Sequence, residues 1–208
     1  MTSDADRIIG LYDRNAEDWA RRSARRRFFE QAWIDRFLAL VPASGSILDL
    51  GCGSGEPIAV YLIERGYRVT GVDSSPALLK LCKDRFPEQT WIAADMRALD
   101  LGTRFDGVLA WNSFFHLAHG PQRGMFPIFA KHSRNGAPLM FTSGTAFGEA
   151  IGTYQDEPLY HASLETAEYR ALLAKNGFTV VSHAVEDETC GGHTIWLARH
   201  GGDPQGKS

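Results

Sequence analysis

The sequence predicts an α/β protein built on a doubly wound, mostly parallel seven-stranded sheet with two helices in front of it. Three observations carry this expectation. From residue 46 onward, short apolar runs alternate with helix-length segments, and strands joined through helices make right-handed crossovers that leave helices on both faces of a sheet. The chain has 208 residues, 44% of them hydrophobic and 23% charged, which is enough for one core and too apolar for a disordered chain. Glycine is abundant, 21 of 208, without a collagen-like period; such glycines belong in turns, caps and loops.

The elements follow in order. Ile8, Leu11, Tyr12, Ala16 and Trp19 recur at three- and four-residue steps, which predicts a helix over residues 4–20. Phe29, Trp33, Ile34, Phe37 and Leu38 repeat the pattern over 28–40, and Pro42 and Gly45 close it. Between them Arg21, Arg22, Arg25, Arg26 and Arg27 form a basic run. A helical cap over 1–45 therefore precedes the main unit, 46–200. Strands are expected at 47–50, 67–72, 90–94, 105–110 and 137–142, with helices at 56–65, 75–85, 121–132 and 164–175. Pro127 should kink or interrupt the third of these helices. Residues 178–185 and 194–199 have no helix between them, so they should pair as an antiparallel hairpin at one edge. Residues 143–163 exceed the usual connection of about 2–6 residues and read as a lid or binding loop. Residues 201–208 are polar and rich in glycine, and a frayed tail is expected there.

Composition and ends restrict the class. The net charge is −3, which does not advertise a large nucleic-acid footprint. The start lacks the basic, apolar and small-residue succession of a signal peptide, and no apolar run approaches the roughly 18 residues of a membrane span. Cys52, Cys82 and Cys190 are odd in number and share no C-x-x-C spacing, which disfavours a disulfide framework or a cysteine zinc site. A cytoplasmic protein is expected.

Four strand ends carry the chemistry. Leu48-Asp49-Leu50-Gly51-Cys52-Gly53-Ser54-Gly55 places three glycines at alternate positions between a strand and a helix. Such a turn can bring backbone N–H groups against a ligand. It is one residue tighter than the dinucleotide G-x-G-x-x-G, and Glu56 behind it would repel a pyrophosphate. Asp73, followed by Ser74, ends the next strand, where ligands collect in open α/β sheets. Its carboxylate can accept both hydroxyls of a ribose; capping the next helix is the competing role. Asp95 and Met96 follow the third strand, offering an acceptor for an exocyclic amine and a soft apolar wall. Trp111 and Asn112 end the fourth.

In this order and spacing, ILDLGCGSG, VTGVDSS, AADM and FDGVLAWN resemble the cofactor motifs of class I S-adenosylmethionine-dependent methyltransferases, over residues 46–199. The resemblance implies a Rossmann-like sheet of order 3-2-1-4-5-7-6 with strand 7 antiparallel. It implies S-adenosyl-L-methionine as cofactor, S-adenosyl-L-homocysteine as product, and no metal. It also implies that Asp49, Gly51, Cys52 and Gly53 line the methionine moiety, that Asp73 and Ser74 meet the ribose, that Asp95 and Met96 take adenine, and that Trp111 lies near the methionine amine. The segment from Leu11 to Trp19 resembles the Y-D-x-x-A-x-x-[YW] stretch of small-molecule members, making Tyr12 and Trp19 candidate lid residues; a helix burying both rings in the core is the other reading.

His116, four residues past Asn112, is the best-placed general base, because an imidazole can take a proton at neutral pH; a structural histidine is the alternative. His161 and His193 could reach a pocket from its rim, but ordinary loop histidines are the simpler reading. Asn112, Phe115 and Tyr160 join Tyr12 and Trp19 as candidate substrate contacts. The expected partner is a small-molecule acceptor of a methyl group on O or N. Nucleic acid is disfavoured, since the N-P-P-[YF] tetrapeptide of amino-directed nucleic-acid methyltransferases is replaced by Trp111-Asn112-Ser113-Phe114. A macromolecular target docked on the arginine run, and a cofactor-binding regulatory module without turnover, are the rival functions. Oligomeric state is not encoded in these patterns.

Overall fold

The computed structural model describes residues 4–201; all but the first residue of the tail expected to fray, 201–208, lies outside them. Two helices, α1 (Asp4–Arg14) and α2 (Ala16–Arg25), replace the single helix expected over 4–20. The apolar periodicity runs through both, but Asn15 ends the first helix: its side-chain amide donates to the Leu11 carbonyl at 2.9 Å, the local competition by which asparagine interrupts helices. Helix α3 (Gln31–Leu38) is shorter than the expected 28–40. It buries Trp33, Ile34, Phe37 and Leu38 against the main sheet, so it is part of the sheet's helical layer.

The sheet then builds in βα steps through β1 (Ser46–Leu50), α4 (Ile58–Glu64), β2 (Arg68–Asp73), α5 (Pro76–Arg85), β3 (Thr90–Ala93), β4 (Gly107–Ala110), α6 (His119–His132) and β5 (Pro138–Ser143). Helix α6 continues across Pro127, so the proline does not interrupt it; the missing N–H there leaves the Arg123 carbonyl without its helical donor. Next come the hairpin strands β6 (Gly148–Tyr154) and β7 (Glu157–Ser163), then α7 (Thr166–Lys175), β8 (Phe178–Asp187) and β9 (His193–His200). The main sheet has the order β3-β2-β1-β4-β5-β9-β8. The first five strands are parallel, and β9 runs antiparallel to β5 and β8. With the hairpin strands set aside, this is the expected 3-2-1-4-5-7-6 arrangement.

The lid-like loop expected over 143–163 is largely the β6–β7 ribbon, paired from Gly148–Ser163 to Tyr154–Glu157. Alternating side chains of the main sheet feed two cores. Ile47, Leu109, Met140 and Leu197 pack under α3 and α4; Leu48, Leu50, Val108, Phe141 and Trp196 pack under α6 and α7. A third, smaller cluster joins Ile8 and Leu11 of α1 to Tyr154, Tyr160 and Ala162 of the ribbon. The ribbon therefore braces α1 over the carboxyl edge of the sheet.

Candidate functional site

At the end of β1 the chain turns through Gly51, Gly53 and Gly55 with φ of 75°, 56° and 78°. These are left-handed conformations that only glycine adopts without strain. Space forbids a side chain as well: a Cβ on Gly51 would lie 2.2 Å from Ser113 Cβ. The turn is fixed to the neighbouring strand by Asp73. Its Oδ2 accepts the Gly53 N–H at 2.9 Å and its Oδ1 accepts the Ser75 N–H at 2.9 Å. Burial raises the Asp73 carboxyl above its usual range, against the lowering effect of these N–H donors. Ser75, not Asp73, caps α5, accepting from the Leu78 N–H. The rival capping role for Asp73 thus falls to its neighbour.

Two clefts flank the glycine turn. The first is lined by Asp73, Ser74, Asp95, Met96, Asn112 and His116 and roofed by Tyr12 and Trp19. The second is lined by Asp49, Cys52, Trp111, Arg26, Phe29 and His193. Trp19, Gly51, Gly53 and Asn112 border both, so the turn and the Trp19 ring form a shared wall. Asp49 points to the α4 side of β1 because its neighbours Leu48 and Leu50 fill the other core. Its carboxyl is pushed up to about 7 by desolvation first and the nearby Asp73 second. Trp111 is buried, and its indole N–H has no hydrogen-bond acceptor.

Helix α1 is fastened around the first cleft at three points. Asp6 binds Arg97 at 2.9 Å, and Arg97 in turn holds Asp95 at 2.6 Å. Asp13 Oδ1 accepts from Ser75 Oγ at 2.7 Å and from the Ala77 N–H at 3.1 Å. Tyr12 Oη lies 3.0 Å from His116 Nε2. Sequence reading passed over Asp13; it follows the motif tyrosine, yet its partners are more than sixty positions away.

The candidate residues separate in space. His116 is buried between α1 and the ribbon. Its Nδ1 lies 2.7 Å from the Tyr160 carbonyl, which can only accept, so Nδ1 carries the proton and Nε2 accepts the Tyr12 hydroxyl. Desolvation holds the imidazole neutral, pushing it down to about 4. Burial also drives the Tyr12 phenol far above its usual value. The Tyr160 ring sits in the small core with Ile8 and Leu11, while Phe115 lines a separate cavity with Gly144 and His161. In the arginine run, Arg21 and Arg22 pair with Asp18 and Arg26 pairs with the fully buried Glu30. No group of three or more His, Cys, Asp or Glu side chains among the described residues could hold a metal ion. No helix among them is long and apolar enough to cross a membrane.

A seven-stranded sheet of this order, carrying a glycine turn on β1 and an acid at the end of β2, defines the class I, Rossmann-like methyltransferase fold. Residues 47–136 match a family described as a methyltransferase domain. It is 43% identical over 65 residues to a trans-aconitate 2-methyltransferase of Azoarcus sp. (strain BH72), covering 29% of this chain and 25% of the relative. It is 28% identical over 158 residues to YrrT, an uncharacterized methyltransferase of Bacillus subtilis (strain 168), covering 71% of this chain and 74% of the relative. The matched stretch spans only 25% to 29% of the length of several of these curated relatives. Among solved structures, 1,6-didemethyltoxoflavin-N1-methyltransferase of Burkholderia thailandensis, with its substrate and S-adenosylhomocysteine bound, superposes with a TM-score of 0.73. That alignment has 18% identity and covers 96% of this chain and 91% of that one.

Proposed function

We propose that the protein is an S-adenosyl-L-methionine-dependent methyltransferase acting on a small-molecule acceptor. One observation carries the reading: the Gly51–Gly55 turn, braced by Asp73, separates two clefts that together offer an elongated site with acids at both ends. The residues present fit the cofactor. A Cβ at Gly51 would close the cradle, Asp73 can accept ribose hydroxyls beside Ser74, and Met96 with Asp95 offers a wall and an acceptor to adenine. Asp49, Cys52, Gly53 and Trp111 border the second cleft, where the buried Trp111 N–H lacks an acceptor.

When bound, S-adenosyl-L-methionine supplies a sulfonium methyl group for in-line displacement. The chain's own part is orientation and exclusion of water, which can supply much of the acceleration, about 7–11 kcal/mol in favourable cases. Tyr12 and Trp19, ring centroids 4.9 Å apart, roof the first cleft, and Asn112 stands at the junction of the two. Tyr160 supports α1 from the ribbon, packing with Ile8 and Leu11, and Phe115 packs on the His116 ring. His116 anchors Tyr12 there and is free to take a proton only when that bond opens. Acceptors named for the similar proteins, trans-aconitate and 1,6-didemethyltoxoflavin, are small molecules. A cytoplasmic location fits the three free, buried thiols. A nucleic-acid target is not favoured, because Asp18 and Glu30 already pair three of the five arginines.

The test is calorimetric titration with S-adenosyl-L-homocysteine, followed by transfer of labelled methyl groups to a small-molecule panel. Saturable binding and labelled product are expected. Absence of homocysteine-adduct binding at millimolar concentration sinks the reading, and binding without turnover on any acceptor favours the regulatory module.

A further inference from the structure

We propose that His193, at the entry to β9, accepts the proton of the methyl acceptor, and that the acceptor is a neutral molecule with an O–H or N–H to lose. The inference deepens the methyl-transfer reading and rests on it. His193 lines the second cleft with Asp49, Trp111 and the shared glycine turn. Its ring centroid lies 5.6 Å from that of Trp111. Gly191 and Gly192, with φ of 66° and 75°, turn the chain back from β8 and deliver the imidazole to this wall.

Two independent hydrogen-bond chains fix the same tautomer. His193 Nδ1 lies 2.6 Å from the Cys190 carbonyl; a carbonyl only accepts, so Nδ1 carries the hydrogen. On the other side, Asn112 Nδ2 is 2.9 Å from Nε2. The Asn112 amide is oriented by Thr142, whose Oγ1 accepts the Asn112 N–H at 2.9 Å and donates to its Oδ1 at 3.2 Å. The NH2 end therefore faces His193 and donates to the Nε2 lone pair. Asn112 holds that pose at φ 47°, a region asparagine tolerates better than most residues. A base needs a lone pair that the substrate can reach and a partner fixing its other nitrogen. His193 has its Nδ1 fixed and stands half-buried at an open cleft, where an entering acceptor can displace the Asn112 amide from Nε2. His116 is buried, with the Tyr12 hydroxyl on its Nε2.

The step balances. The acceptor's heteroatom forms the new bond to carbon with its lone pair as the sulfur–methyl bond breaks. The sulfonium becomes a thioether, and the acceptor's proton passes to Nε2 in place of the Asn112 donor. The imidazolium shares the cleft with Asp49 and releases its proton to solvent. Ionised carboxylates and tertiary amines need no such base.

The experiment measures S-adenosyl-L-homocysteine affinity and labelled-methyl transfer for the wild type, His193→Gln and His193→Ala. The panel is catechol, 4-methylumbelliferone and imidazole-free N–H heterocycles, against benzoate and N,N-dimethylbenzylamine. Expected are turnover confined to the O–H and N–H acceptors and a kcat fall of about 10²–10⁴ in both variants. KM and S-adenosyl-L-homocysteine Kd should stay within about twofold, and added imidazole should partly restore His193→Ala. Full-rate turnover by His193→Gln, a loss confined to KM, no rescue by imidazole, or methylation of only benzoate or the tertiary amine overturns the proposal. So does adduct binding with no O–H or N–H acceptor methylated. Failure of the adduct to bind at all strikes instead the broader methyl-transfer reading.

Discussion

The Tyr12 hydroxyl donates to His116 Nε2 across 3.0 Å, tying the first helix to the segment that follows β4. The two residues lie 104 positions apart and are both withdrawn from water. Their pairing makes a definite pH signature. In the unfolded chain His116 takes a proton near its usual 6.5; in the folded chain it does so only near 4. Between these values the unfolded state binds more protons, so this residue's share of stability is present above pH 6.5 and is lost as pH falls toward 4. The loss amounts to at most about 3 kcal/mol. Urea unfolding of wild type and His116→Gln between pH 4 and 7.5 should give curves that converge at the acid end; parallel curves would remove His116 from the account.

Tyr12→Phe isolates the bond from the ring. It leaves Nε2 buried without its donor, so stability at pH 7.5 should fall by about 1–3 kcal/mol, measured by urea midpoint at unchanged slope. A variant as stable as the wild type would mean that water replaces the phenol.

Asp49 has the opposite sign. A carboxyl raised from its usual 3.8 to about 7 by burial favours the folded state when protonated, and its share is lost as pH rises from 3.8 to 7. Asp49→Asn should therefore stabilise the ligand-free protein at pH 8, by on the order of 1–4 kcal/mol. The same change should weaken S-adenosyl-L-homocysteine binding, which calorimetry would record; a gain in stability with unchanged affinity would place the cofactor's amino-acid end elsewhere.

Asp73→Ala removes the acceptor of two backbone N–H groups and the proposed ribose contact together. Affinity for S-adenosyl-L-homocysteine should drop at least a hundredfold, and adenosine should bind no better to the wild type than to the variant if the ribose assignment is mistaken.

Gly51→Ala tests the cradle from the other side. The new Cβ meets Ser113 at 2.2 Å on a backbone with φ 75°. Pairing it with Ser113→Gly should recover part of any lost stability, whereas a single variant that melts and binds like wild type would show that the turn has slack.

Much of this arrangement is legible in the sequence because it is local. Each motif of the main sheet sits at one strand end, and apolar runs such as Ile47–Leu50 need no distant partner to be recognised. The β6–β7 ribbon escaped notice for physical reasons. Its first strand is exposed on both faces through Glu149, Ala150 and Ile151, so no alternation of polarity marks it. Its turn uses Gln155 and Asp156 at φ 52° and 59°, without the Asn-Gly or Asp-Gly pair that advertises such a hairpin. His193 looked like a loop residue because its partners, Asn112 and the Cys190 carbonyl, are assembled only when β9 pairs beside β5. The same holds for His116: its place after β4 is visible in sequence, whereas the Tyr12 hydroxyl on its lone pair is not.

The three fastenings of α1, at Arg97, at Ser75 and Ala77, and at His116, each reach a different element around the first cleft. A nucleoside seated below Tyr12 and Trp19 would therefore lie under an eleven-residue helix pinned on three sides, and the loosening of that helix would bear on how readily the spent product departs.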